Sequence, residues 1–212
     1  MRRYQSGFTL IEIAIVLVII GLLLGGILKG QELINSARVK SLAADFRNVP
    51  VFIYGYQDKF KALPGDDAAA VAHVGNSGIL ATTGGPTGNG VIGGAWDSII
   101  QTDESYLFWQ HVRMAGLAPG SIDTTNPGIY APTNALSGRI GIQSAPPFTG
   151  LNGSYFICSG SIPGKYAKQL DILLDDGNSF TGSMMAGPIA NGTTAGTTPL
   201  VDSTPYTVCM GF

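Results

Sequence analysis

The chain predicts an α+β fold. A long N-terminal helix, half transmembrane and half amphipathic, should pack on a small globular head that ends in an antiparallel β-sheet. Three observations carry that expectation. Residues 8–28 are apolar apart from Thr9 and a single carboxylate, Glu12, both near the start. Beyond Lys29, apolar residues recur three and four apart as far as Phe60. From Ser137 onward the pattern becomes two-like, in short segments divided by Gly and Pro.

The apolar run sets the topology. About 21 residues at 1.5 Å per residue reach roughly 31 Å, enough to cross a hydrocarbon core. Arg2 and Arg3 stand before it, which keeps the N-terminus cytoplasmic and sends the remainder outward. A secretory signal peptide has a shorter apolar region with a small-residue cleavage site after it. Here the only processing-like feature lies in front, so the segment reads as an anchor. Gly21, Gly25 and Gly26 interrupt it, as small residues do where membrane helices approach closely.

Glu12 is the exception within that run. A carboxylate at the centre of a membrane helix costs about 2.5–3.5 kcal/mol on insertion scales, less near an end where it reaches the interface. The residue calls for a cationic partner, and no basic residue follows it in its own helix until Lys29.

Gly7-Phe8-Thr9-Leu10-Ile11-Glu12 behind a short basic leader resembles the class III signal of type IV pilins and type II secretion pseudopilins. The resemblance covers Met1 to about Leu28. It implies that a membrane prepilin peptidase cuts between Gly7 and Phe8 and methylates the new Phe8 amine. It implies too that Glu12 pairs with the Phe8 amine of a neighbouring subunit during filament assembly, where an unpaired charge in low dielectric is heavily penalised. Loss of Arg2 and Arg3 would take 12 basic residues to 10 against 14 acidic, moving the net charge from −2 to −4. The proline that family members carry in the anchor is replaced here by Lys29, as is common in pseudopilins. The expected organisation is a leader over 1–7, an assembly helix over 8–28, an amphipathic continuation over 29–62 and an extracytoplasmic head over 63–212, the pilin fold.

Composition suits an exported head. The anchor leaves about 150 residues of the 212, enough for one domain with a real core. Charged residues are only 12% of the chain, about half the usual share, while Gly numbers 30 and Pro 12. That balance suggests a turn-rich extracytoplasmic β domain and gives no basic patch for nucleic acid. Cys158 and Cys209, both beyond the anchor, are an even pair in an exported domain and predict a disulfide, with two reduced core thiols as the alternative.

After Lys29, the residues Leu42, Phe46, Val49, Ile53, Tyr56 and Phe60 form one helical stripe, with Lys40, Asp45, Arg47, Asp58, Lys59 and Lys61 on other faces. Pro50 removes a backbone bond and predicts a kink. Residues 68–94 read as loop. Thr102 or Asp103 can cap a short helix through Ala115 that stops at Gly116. The run from Glu104 to His111, continued through Gly116 and Leu117, resembles the head of a subgroup of proteobacterial pilin-like proteins. Residues 139–143, 154–159, 183–186 and 206–210 read as strands. Pro163 can open a helix with Tyr166, Leu170, Leu173 and Leu174 inward, closed by Asp175-Asp176-Gly177.

The sequence offers little catalytic chemistry, and no enzyme activity or cofactor is expected. Its two histidines, His73 and His111, have neither a Gly-x-Ser-x-Gly elbow nor a metal-spaced cluster around them, and read as surface or core residues. Gly88-Asn89-Gly90-Val91-Ile92-Gly93 is formally a dinucleotide fingerprint, but no strand or βαβ unit surrounds it. Asp171, Asp175, Asp176 and Asn178 can supply oxygen ligands to calcium; their spacing fits no EF-hand and suits ordinary turn chemistry, so no metal is assigned. Asn152-Gly153-Ser154 and Asn191-Gly192-Thr193 match the glycosylation triplet, a short pattern common by chance.

The expected function is therefore a structural subunit of a type IV pilus-like filament, polymerised through its N-terminal helix. Its partners would be copies of itself and related pilins, the prepilin peptidase, an inner-membrane assembly platform and, before assembly, the membrane. It would begin as a single-pass inner-membrane precursor and end in a periplasmic or extracellular filament. Pilus (fimbrium), competence filament and type II secretion pseudopilus share these features. The alternative is a minor pilin or pseudopilin whose head mainly binds a ligand, for adhesion, DNA uptake or a secretion substrate.

Overall fold

The apolar stripe after Lys29 becomes the buried face of one continuous helix. In the computed structural model, residues 7, 9–188 and 199–212 are described. Helix α1 (Leu10–Phe60) is followed by α2 (Ala70–Val74), α3 (Glu104–Met114) and α4 (Pro127–Tyr130). Strands β1 (Ile140–Gln143) and β2 (Phe156–Pro163), helix α5 (Gly164–Leu174), and strands β3 (Met184–Gly187) and β4 (Pro205–Gly211) complete the chain. It divides into two units, residues 1–38 and 39–212.

In the second unit the C-terminal part of α1 is the spine of the core. Val39, Leu42, Ala43, Phe46, Val49, Ile53 and Tyr56 are buried, spaced three and four apart save for the adjacent pair at 42 and 43, and Phe60 packs half-buried at the end. The helix continues through Pro50, although that residue donates no hydrogen bond. Gly65, at φ +90°, then turns the chain against the start of α3, where a Cβ would strike the Glu104 carbonyl oxygen.

Helix α3 is buried from Glu104 to Arg113 on every face, so it behaves as an internal element rather than an amphipathic one. Its expected capping residue, Asp103, sits at the N-cap position with extended backbone but makes no side-chain cap. Its carboxylate instead accepts from the Thr83 hydroxyl at 2.5 Å and the Ser98 hydroxyl at 2.6 Å, tying two loops to the helix start. Helix α2 falls in a stretch expected to be loop. It is a five-residue helix, too short to leave a periodic signal.

The sheet is antiparallel throughout, in the order β1-β2-β4-β3. Its side chains alternate between two apolar clusters, as a pleated strand requires. Ile140, Ile142, Ile157, Ile162, Met184, Ala186 and Val208 face the spine, with α3 and α5 completing the main core. Phe156, Cys158, Met185 and Cys209 face the other way, into a smaller cluster with Phe148 and Leu151. Both faces are thus covered, and β1 and β3 are buried at every position. Two expected positions are corrected. Leu173 on α5 is 46% exposed because Leu170 and Asp171 take the inward face of the last turn, and Asp45 on α1 is half-buried rather than on a free face.

Candidate processing and assembly site

In the first unit, α1 starts at Leu10, immediately after Thr9. The Thr9 amide donates to Glu12 Oε2 at 2.8 Å and the Thr9 hydroxyl donates to the same oxygen at 2.7 Å. The Glu12 amide lies 3.3 Å from Thr9 Oγ1 in return. These reciprocal bonds are a capping box, Thr-x-x-Glu, in which the third helical residue reaches back to the residue that opens the helix. The expectation that Glu12 needs a cation overlooked this pair, although Thr9-Leu10-Ile11-Glu12 displays it in sequence. Both donors are neutral, so the bonds orient the carboxylate and leave its charge in place. Lys29 does not serve it: it pairs with Glu32 at 2.7 Å on the exposed surface.

Gly7, on the N-terminal side of the expected cut, is exposed. Phe8, expected to supply the new amine and carry the methyl group, lies outside the described residues, as do Arg2 and Arg3. The large apolar side chains from Leu10 to Leu28 are 46–90% exposed. A Cβ added at Gly21, Gly25, Gly26 or Gly30 would meet nothing within 4 Å. Among the described residues one helix, α1, is long and apolar enough to cross a membrane, and its apolar window is unburied. These features fit a membrane-anchored precursor.

The head carries its own chemistry. Cys158 and Cys209 face each other across β2 and β4 with Cα atoms 4.1 Å apart, and a disulfide joins them. It lies in the smaller cluster, on the sheet face turned away from the spine. The asparagine of Asn191-Gly192-Thr193, with its whole triplet, lies outside the described residues.

The glycine-rich loop that mimics a dinucleotide fingerprint has an internal occupant. The amides of Gly88, Asn89 (3.2 Å) and Gly90 (2.7 Å) all donate to the buried Asp66 carboxylate, forming a cradle of the kind that elsewhere holds anions. Neighbouring Asp67 accepts from the Tyr56 hydroxyl, His73 Nδ1 and the Ala69 amide, at 2.7, 2.7 and 2.8 Å. Burial alone would raise its pKa, and the bonds from His73, Tyr56 and Ala69 outweigh that, holding it below the ordinary value. His111 is fully buried. Its Nδ1 accepts from the Gly65 amide at 2.9 Å, which assigns the proton to Nε2, donating to the Ile79 carbonyl at 2.8 Å. Burial lowers its pKa, and the neutral ring braces the turn after α1.

One buried acid is different. Glu104 Oε2 accepts from the Gly93 amide at 2.7 Å, while Oε1 has no hydrogen-bond partner among the described residues. Burial pushes this carboxyl up to about 7, opposed by the Gly93 amide and reinforced by Asp66 and Asp103. An ionised Glu104 beside Asp66 would place two acceptors together; a protonated one donates, so the environment favours the neutral form. Beside these carboxylates lies a cleft of about 490 Å³, lined by Phe60, Lys61, Asp66, Asp67, His73 and Tyr155 among others.

No curated protein and no solved structure matches the chain. Residues 2–28 match the family model of the prokaryotic N-terminal methylation motif, and through that segment the chain carries the class III signal of type IV pilins and pseudopilins.

Proposed function

We propose that the protein is a structural subunit of a type IV pilus-like filament, without enzymatic activity. A prepilin peptidase cleaves it between Gly7 and Phe8 and methylates Phe8, and the exposed half of α1 then packs against other copies. The observation that carries this reading is the methylation motif running into a helix whose apolar side chains stay largely exposed among the described residues. Lipid covers such a surface before assembly, and neighbouring helices cover it afterwards. The open space around Gly21, Gly25 and Gly26 supports the same reading, because small residues that pack nothing inside the chain permit close approach between chains. Glu12, oriented by Thr9, is then positioned to meet the Phe8 amine of an adjacent copy. Expressed with its peptidase and assembly platform, the chain should appear in sheared filaments beginning at residue 8. Recovery only as processed membrane monomer would overturn the reading.

The second reading, a minor pilin or pseudopilin with a ligand-binding head, draws on the cleft beside Asp66, Asp67 and His73. The two differ in stoichiometry. A main structural subunit makes up the bulk of purified filament protein, whereas a minor one is a small share of it.

A further inference from the structure

In the second unit, α1 carries an acid and a base two residues apart, and neither has a charge partner. Asp45 is half-buried, and its Oδ2 is shut off from water without a hydrogen bond among the described residues. Arg47 is exposed and enters no ion pair among the described residues. Two positions along a helix turn the chain by roughly 200°, so the two side chains leave α1 on nearly opposite sides. They cannot meet within one chain.

Asp45 opens onto a recess of about 170 Å³, lined also by Asn48, Phe52, Trp109, Pro119 and Pro132. Burial pushes its carboxyl up to about 6, so at neutral pH the group stays mostly ionised. An ionised oxygen without a donor is costly in such a place, and a cation brought to it would offset that cost. The head does not supply one. Arg113 packs over Trp109, 5.7 Å from the ring, but its guanidinium donates to the carbonyls of Pro119, Ser121 and Tyr130. The recess joins a carboxylate and an indole between apolar walls. That set suits a planar guanidinium, which pairs with carboxylates and stacks on aromatic rings, better than a strongly hydrated ammonium.

We propose that the Asp45 recess receives the Arg47 side chain of a second copy of this chain. The inference rests on the filament reading above and adds to it a contact made by the head. Placing the two charges on opposite sides of one helix has a geometric consequence. A two-fold dimer needs both partners on one shared patch, which Asp45 and Arg47 do not form. A contact from one side of each copy to the other side of the next is heterologous, the kind that propagates into an open filament. Every copy offers one recess and one arginine, so each recess along such a filament is filled by the next subunit. Lys40 stands seven residues before Arg47 on the same side of α1, equally exposed, and provides the comparison.

The test uses the full chain, expressed with its peptidase and assembly platform. Asp45→Cys copies and Arg47→Cys copies are made together, and sheared filaments are treated with a short bismaleimide. Cys158 and Cys209 are bridged to each other, so no native thiol competes. Dimers should appear on denaturing gels only when both variants are present, and not when Lys40→Cys copies replace the Arg47→Cys ones. Asp45→Asn and Arg47→Gln should each lower filament yield roughly fivefold or more, because either leaves a charge unpaired at the contact or the recess. Processing at Phe8 should be unchanged in both. Asp45→Asn removes an unpaired charge from the isolated subunit, so in detergent it should melt no lower than wild type, which places its defect in assembly. Wild-type yield from both charge variants, or filaments that give no dimer with Arg47→Cys copies, would overturn the pair and leave the filament reading standing. Wild-type protein that forms no filament would overturn both.

Discussion

Thr9 and Glu12 grip each other across the first turn of α1, with the Thr9 amide and hydroxyl both donating to one Glu12 oxygen at 2.8 and 2.7 Å. The acid on which assembly is expected to depend is therefore also a helix cap. The two roles make different demands, since a cap needs an acceptor oxygen and an intersubunit ion pair needs a charge.

Glu12→Gln separates them. The glutamine oxygen can still accept from Thr9, so the helix start survives, but the charge is gone. Filament yield should fall about as far in Glu12→Gln as in Glu12→Ala, with processed monomer accumulating in the membrane and the head folded. Thr9→Val should be milder, costing about 0.5–2 kcal/mol of local helix stability while leaving the carboxylate ionised. If Glu12→Gln assembles like wild type while Glu12→Ala does not, the residue acts as a cap and the ion pair is excluded.

Gly7→Val should leave unprocessed precursor in the membrane. Gly7 is exposed with no described atom within 4 Å of an added Cβ, so no described residue opposes the larger side chain. A processing defect would then belong to recognition by the peptidase. Mass spectrometry of the membrane fraction reads it directly, and a normal methylated N-terminus at Phe8 in this variant would refute the role.

Removing the disulfide should weaken the head without changing its fold. The bridge spans a sequence separation of 51, which on the chain-entropy model contributes about 4 kcal/mol. Cys158→Ser with Cys209→Ser should lower the denaturant midpoint by a matching amount, and dithiothreitol should lower wild type to the same level. An unchanged midpoint would show that the strand pairing alone holds β4 in place.

Glu104 should make the head less stable as pH rises. Its carboxyl stands near 7 in the fold against an ordinary 4.5. Between those values the folded chain holds a proton that the unfolded chain has released, so stability from this group is complete below about 4.5 and declines as pH rises through about 7. Urea midpoints of wild type across that window should fall relative to those of Glu104→Gln, whose amide can donate to Asp66 at every pH. Parallel pH profiles for the two proteins would place the titrating group elsewhere.

By itself the sequence determined the elements whose signal is periodic or local. The anchor is legible because lipid demands length and apolarity, and the spine because Leu42, Phe46, Val49, Ile53 and Tyr56 repeat at helical spacing and prove to be its buried face. Strands β1, β3 and β4 and helix α5 lie close to their expected bounds because Gly and Pro punctuate them, while β2 runs on to Pro163, four residues past its expected end. Tertiary structure alone decided what depends on partners distant in sequence. The fingerprint-like glycines close on Asp66, more than twenty residues earlier. Asp103 abandons its cap for Thr83 and Ser98, and Leu173 turns to solvent while Asp171 turns inward. The even cysteine pair predicted the disulfide, but only the fold decided that it lies in a separate apolar cluster on the sheet face turned away from the spine. Hydrophobic spacing is written along a single segment. The partner of a buried polar group is chosen by whichever segment the fold brings against it.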